Sequence, residues 1–341
     1  DAAQLAEATE ALGGVITVSV GSDLLLWSLS VPARHFRAAF PLLADAALRP
    51  VFPEGEVERE RKVLASDLEQ LRDDMYRYPL RLFHEAAFGG HPYGTPLAVA
   101  EGALPGLTAG GLRAWHQAHV LGATPWVIVV GGVDPEEVAG TVAHELSGLA
   151  ATERASFPLP APWPNGMRER AESRAKAQTA LVLGFPGPAR NDEDAYAAQV
   201  LAAAVSGLGN RLFEELRSRR SLAYTVAAQP VSHWLAGAFI GYIATAPERE
   251  EEARRALLEE FDRLAGEGIT EAELERARRY LIGAWKIRSQ TNGARLADLT
   301  AALLIGPGIR EIREHEERIR AVTRADVRDL AGRCFDPDRL V

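Results

Sequence analysis

"EVERERKVL", residues 56–64, recurs with few changes as "ELERARRYL", residues 273–281. Glu56, Glu58, Arg59, Arg61 and Leu64 are matched by Glu273, Glu275, Arg276, Arg278 and Leu281 at an offset of 217. Charged helices resemble one another by chance, so this match gains its force from its neighbours. "LPGLTAGGLRAWHQ" (104–117) lies over "IRAVTRADVRDLAG" (319–332), pairing Thr108 with Thr323 and Leu112 with Val327 at an offset of 215. "GGVITVSV" (13–20) lies over "SLAYTVAA" (221–228) at an offset of 208. Three matches in one order imply a duplicated domain.

Between the copies, Glu153 to Ala171 reads "ERASFPLPAPWPNGMRERA", with Pro158, Pro160, Pro162 and Pro164 at alternate positions. Proline in that pattern blocks helix and favours a semi-rigid extended linker. The expected division is a domain at 1–152, a linker at 153–171 and a domain at 172–341. Strands are expected at "AQTALVLGF" (177–185), "LLLWSLSV" (24–31), "AGAFIGYIATA" (236–246) and "WVIVVGG" (126–132). Helices are expected from near Arg34 and Glu248, from Pro135 to about Leu149, and from Asp194 to Val205 with Asn191 or Asp192 as cap. Helices following antiparallel strands give an α+β fold of two homologous domains, each an antiparallel sheet with helices packed on one face. Because Asp1 aligns with about residue 209, the first copy is expected to lack the strand and helix that the second has before that point. The second copy, in turn, is expected to lack its last strand, which makes the chain a fragment of a longer protein.

The 341 residues are 47% hydrophobic and 25% charged, within the globular range. A net charge of −9 gives no reason to approach phosphate backbones, so nucleic acid is excluded as a partner. No apolar run is long enough to span a membrane. Cys334 is the only cysteine, which rules out an internal disulfide and suits a reducing, cytoplasmic compartment.

"LFEELRSRRSLAYTV" (212–226) begins with helical spacing and ends with strand alternation, so a turn falls near Ser221. That turn sets Arg217, late in the helix, near Tyr224, early in the strand. Taken in isolation, Arg217 reads as a partner for Glu214 and Tyr224 as a strand aromatic. His116 and His119 share a helix face but have no third ligand, and His91 in "GGHPYG" orders its loop. "VVGGVDPEE" (129–137) lacks the G-x-G-x-x-G spacing of a dinucleotide loop, and Asp134-Pro135 is a helix start.

"NRLFEELRSRRSLAYTV" (210–226), "LVLGFPGPARNDEDAYAAQVLAAAVSG" (181–207), "FPEGEVERERKVL" (52–64) and "FGGHPYGTP" (88–96) together resemble the M16 zinc metallopeptidases, the pitrilysin, insulinase and mitochondrial processing peptidase group. The resemblance implies a duplicated α+β domain and halves that close on an extended peptide substrate. In small bacterial members one subunit holds zinc and the other supplies an Arg and a Tyr, seven residues apart, for substrate binding. Arg217 and Tyr224 match that pair, while Ser221 stands where relatives usually have Gly. The family's zinc motif, His-x-x-Glu-His, is absent from these residues. Asp67 falls where the later Glu ligand is expected, with Glu69 the counterpart if the register shifts.

The expectation is therefore a chain that binds no metal, has no catalytic residues acting alone, and works with a zinc-bearing M16 partner subunit or as a homodimer. Zinc would reside in the partner or in a segment upstream of Asp1. A silent peptide-binding scaffold, and a fragment of an active zinc peptidase whose motif lies upstream, are the alternatives.

Overall fold

Periodicity and punctuation in the sequence translate into alternating helices and short strands. The computed structural model describes residues 2–149 and 160–341, so residues 153–159 of the expected linker lie outside the description. In chain order come α1 (Ala2–Glu10), β1 (Val15–Val20), β2 (Leu25–Ser30), α2 (Phe36–Leu48), α3 (Glu54–Leu71), α4 (Arg77–Ala87), α5 (Leu97–Ala103), α6 (Ala109–His116) and α7 (Pro135–Glu145). They are followed by β3 (Thr179–Pro186), α8 (Ala195–Val205), β4 (Thr225–Ser232), β5 (Gly237–Thr245) and α9 (Glu250–Glu267). Last are α10 (Glu271–Arg288), α11 (Asn292–Thr300), α12 (Arg310–Ala321) and α13 (Arg324–Cys334).

Two compact units result. The first takes the described residues up to Leu68, those from Glu101 to 149, and Thr291–Thr300; the second takes Glu69–Ala100, the described residues from 160 to Gln290, and Ala301–Val341. Residues Glu69–Ala100 thus belong by sequence to the first copy and by packing to the second unit.

In the first unit β1 and β2 form an antiparallel hairpin, from Val15 opposite Ser30 to Val20 opposite Leu25. α2 supplies the small core: Phe36 and Phe40, with ring centroids 5.5 Å apart, and Ala44 pack against Val138, Val142 and Leu146 of α7. Asp134 caps α7 by accepting from the Glu136 and Glu137 N–H groups at 2.8 and 3.0 Å, and the helix ends at Glu145, short of the expected Leu149. "WVIVVGG" is not a strand, because among the described residues no ladder partner is hydrogen-bonded to it. Its apolar run signals burial in a sheet, but a strand exists only where a second chain segment takes up its backbone groups.

In the second unit the antiparallel sheet has the order β3-β5-β4. Every residue of the central β5 is buried, and its two faces serve different layers. Phe239 and Ile243 face α8, α9, α10 and α13 in the main core, whereas Ala238 and Ile240 face Phe83, Phe88 and Tyr93 from α4 and the loop after it. Glycine lets a ring sit on each face. A Cβ on Gly241 would lie 2.7 Å from Cζ of Phe261, and one on Gly184 would collide with the Phe83 ring. The helix at Ala195–Val205 forms as expected, but its cap differs. The Asp192 carboxylate accepts from the Ala189 N–H in the preceding turn, and Asp194 pairs with Arg333 at 2.6 Å instead of capping.

The duplication extends to side-chain contacts. α3 and α10, the helices bearing the 217-residue match, are each 18 residues long. Arg61 donates to the Pro105 carbonyl at 3.3 Å, and its counterpart Arg278 donates to the Val322 carbonyl at 3.2 Å, two residues further along the matching segment. Thr108 and Thr323 both cap the next helix, accepting from N–H groups three residues on at 3.1 and 3.2 Å.

α10 opens with a reciprocal capping box, in which Glu273 takes the Thr270 N–H at 2.7 Å and Thr270 Oγ1 takes the Glu273 N–H at 3.2 Å. Arg211 adds bonds of 3.1 and 2.8 Å to the same carboxylate. Burial raises the Glu273 pKa, but the hydrogen bonds from Arg211 and Thr270 outweigh it and hold the carboxyl below its ordinary 4.5. A carboxylate depressed on folding stabilises above its unfolded pKa, and that contribution is lost as pH falls through the folded value. Glu273→Gln is expected to cost roughly 1–3 kcal/mol at pH 7. Urea unfolding curves should show the gap between variant and wild type narrowing below pH 4.5, and a gap independent of pH would refute the assignment.

Candidate functional site

The turn between α8 and β4 is built from buried leucines outward. Leu212 and Leu216 are fully buried and Leu222 nearly so, which fixes the segment on the core and turns the intervening charged residues to solvent. Asn210 holds the start by donating to the Ala203 carbonyl at 3.0 Å and accepting from Arg276 at 3.3 Å. From Phe213 to Arg219 the helix is π-wound, a form that recurs at functional sites.

The turn falls at Ser221, as the change of period predicts. Its φ is +50°, a left-handed conformation that a residue with a Cβ adopts at a cost. The carbonyl of Leu216 accepts from both Leu222 and Ala223 N–H groups, at 2.8 and 3.2 Å, and the Arg217 carbonyl accepts from Ser221 at 3.1 Å. Ser221→Gly is expected to raise stability by about 0.5–1 kcal/mol, since relief of the left-handed strain outweighs the added freedom of the unfolded chain. Chemical denaturation checks it, and a destabilised glycine variant would show that the serine is not strained.

Arg217 and Tyr224 are brought together by this turn. An Arg217 Nη1–H donates to the Tyr224 carbonyl at 2.9 Å, and the guanidinium carbon sits 5.0 Å from the Phe213 ring centroid. The Tyr224 N–H bonds to the Ala244 carbonyl at 2.8 Å, which extends the β4–β5 ladder to the tyrosine, while its side chain is 54% exposed. Neighbouring arginines are neutralised: Arg211 by Glu273, Arg219 by Glu215 and Glu214, Arg220 by Glu259. Glu214 therefore pairs with Arg219 and not, as the isolated reading had it, with Arg217. Among the described residues no carboxylate pairs with Arg217. The result is an exposed cation over a ring, bonded to the main chain of a residue whose phenol is exposed.

The outer edge of β4 is partly closed. Ser206 Oγ donates to the Ala228 carbonyl and accepts from the Ala228 N–H, both at 2.7 Å, and Pro230 has no N–H to offer. The Tyr224 carbonyl is taken by Arg217, so little of this edge is left to pair with an added peptide strand.

Zinc is the metal implied by the resemblance, and the donors do not fit it. Among the described residues there is no group of three or more His, Cys, Asp or Glu side chains able to hold a metal ion. His116 is buried with Nε2 2.7 Å from the Ala47 carbonyl oxygen, and His119 packs on Trp115 at 5.0 Å between ring centroids. His91 does order its loop, its Nδ1 accepting from the Tyr93 N–H at 3.3 Å. Asp67 and Glu69 are exposed on α3.

The family model described as "Peptidase M16 inactive domain" matches residues 106–281. This chain belongs to peptidase family M16. The model "Insulinase (Peptidase family M16)" matches residues 1–101. A protein of Mycobacterium tuberculosis named as an uncharacterized zinc protease is 29% identical over 97% of this chain and 76% of its own length. One of Streptomyces coelicolor with the same description is 27% identical over 97% and 73%. Among solved structures, a protease from Helicobacter pylori superposes with a TM-score of 0.87 at 19% identity over 100% of this chain and 83% of that one. A peptidase M16 inactive domain from Pseudomonas fluorescens gives 0.85 at 22% identity over 100% and 82%. These neighbours establish the M16 fold. Arg217 and Tyr224 lie in the part matched by the inactive-domain model, and Asp67 in the part matched by the insulinase model.

Sequence reading missed two contributors to the M16 chain's turn. Phe213, beneath Arg217, was legible as an aromatic four residues before an arginine on a helix. Arg249, whose bonds to the turn are described below, has no local signal because it comes from the far side of a hairpin.

Proposed function

We propose that this M16 chain is a substrate-positioning peptidase subunit, with Arg217 and Tyr224 holding an extended peptide near the bond to be cut. The observation that carries the reading is the exposed Arg217 guanidinium, unmatched by a carboxylate among the described residues and bonded to the main-chain carbonyl of Tyr224, whose own side chain is exposed. A surface arginine without a carboxylate partner can donate to peptide carbonyls with the N–H groups that it does not spend on the Tyr224 carbonyl. A tyrosine O–H donates to the oxygen on which negative charge develops when water adds to the amide carbon. Hydrolysis then breaks the C–N bond, with the hydroxyl kept on the acyl carbon and a proton delivered to the amine. Neither side chain activates water, and the described residues include no cluster of three or more metal-ligating side chains, so the reading assigns cleavage to an assembly with a zinc-bearing M16 partner subunit. The partly closed β4 edge limits backbone pairing to a few residues, which leaves the two side chains as the main source of register.

The names of the relatives, zinc proteases, favour a second reading in which the same polypeptide also carries a metal site outside the residues described. Arg217 and Tyr224 keep their roles in it. Both readings are tested by binding of a fluorescein-labelled, unstructured casein peptide to wild type and to Arg217→Ala, followed by fluorescence anisotropy. Weakening by about tenfold is expected for loss of one charge-assisted hydrogen bond, and equal affinities would remove the basis for either.

A further inference from the structure

The Arg217–Tyr224 turn is held from outside by a second arginine. Residues Pro247–Arg249 form a single 3-10 turn between β5 and α9. From it, Arg249 donates Nη1–H to the Ser221 carbonyl at 2.8 Å and Nη2–H to the Arg220 carbonyl at 3.3 Å. The same guanidinium bonds Glu252 Oε2 through Nε at 3.0 Å and Nη2 at 2.9 Å. One planar group therefore ties the first turn of α9 to the end of the π-wound helix.

Those two carbonyls need such a partner. They lie at a helix C-terminus, where backbone oxygens have no intrahelical donor, and they flank the residue held at φ +50°. A left-handed serine persists only where its surroundings over-determine it. Below it, Leu216 accepts two N–H groups; above it, Arg249 supplies two donors. The peptide planes it fixes lie between the helix that carries Arg217 and the strand that starts with Tyr224. A shift of the Ser221 plane moves the Tyr224 carbonyl relative to the Arg217 guanidinium and changes the spacing of the pair.

We infer that Arg249 is a positioning residue for substrate binding, setting the geometry of Arg217 and Tyr224 through the Ser221 turn without touching peptide itself. The inference rests on the proposed role of that pair. Its specificity comes from the planar fork: a lysine reaches one carbonyl but not two carbonyls and a carboxylate together.

The test combines three measurements on the full chain: anisotropy binding of the labelled casein peptide, hydrogen exchange of the Leu222 to Tyr224 amides, and the thermal midpoint. Arg249→Ala is expected to speed exchange at those amides and to weaken peptide binding by about tenfold, the effect of a small misplacement of a positioned group. Arg249→Lys is expected to fall between alanine and wild type. Adding Ser221→Gly, which needs no outside support for positive φ, is expected to restore slow exchange and affinity to the alanine variant. Rescue separates positioning from general unfolding, because the glycine does not replace the bond between Arg249 and Glu252. If Arg217→Ala weakens binding while Arg249→Ala changes neither binding nor exchange, the latch is refuted and the site reading survives. If Arg217→Ala leaves binding intact, the site reading fails and this inference with it, whatever Arg249→Ala does.

Discussion

Tyr224→Phe is expected to lower peptide hydrolysis by about a hundredfold to a thousandfold when the chain is assayed with a zinc-bearing M16 partner. The substitution keeps the ring, its exposure and the backbone bond to Ala244, and removes only the O–H. A donor aimed at a developing oxyanion acts in the transition state, so kcat should fall and KM should move little. Arg217→Ala is expected to behave differently. A guanidinium that holds ground-state carbonyls contributes to substrate and transition state alike, and its loss should appear mainly in KM. Steady-state kinetics on one casein peptide separates the two. If Tyr224→Phe retains full kcat, the phenol is a strand aromatic and no more.

The second large effect concerns the core of the second unit. Phe261 is 1% exposed, with its ring 5.3 Å from Phe185, 4.8 Å from Phe335 and 6.4 Å from Phe239, and it rests on Gly241. Phe261→Ala removes a side chain that bridges α9, the sheet and the end of α13, and leaves a hole that packed aromatic rings refill poorly. A cost of about 3–5 kcal/mol follows, a large fraction of the stability of an ordinary domain. Denaturant unfolding measures it. A loss below about 1 kcal/mol would mean that the aromatic cluster can collapse onto the cavity.

How far the sequence discloses this molecule depends on the range of the interaction concerned. The matches at Glu56/Glu273 and Thr108/Thr323 marked the duplication, and the structure places helix starts and the threonine caps at equivalent positions, with the Arg61 and Arg278 carbonyl contacts in the same connecting segment. The turn at Ser221 was legible because a switch from helical to strand period requires one, and its left-handed φ is a conformation that glycine adopts without strain. "WVIVVGG" misled because an apolar run records a segment suited to burial and says nothing about the ladder partner. The cap at Asp192 misled because its carboxylate takes the Ala189 N–H of the preceding turn in place of one at the helix start. α4 against the sheet of the second unit was invisible, since its contacts lie about a hundred residues away in the chain. Arg249 was hidden for the same reason.

Hydrolysis of the labelled casein peptide by an equimolar mixture of this chain and a zinc-bearing M16 subunit tests the central claim most directly. The account predicts cleavage by the mixture, none by the chain alone with zinc added, and loss of the mixture's activity when the chain carries Arg217→Ala together with Tyr224→Phe. Cleavage by this chain unaided, or a mixture with the doubly substituted chain that matches wild type, would contradict it.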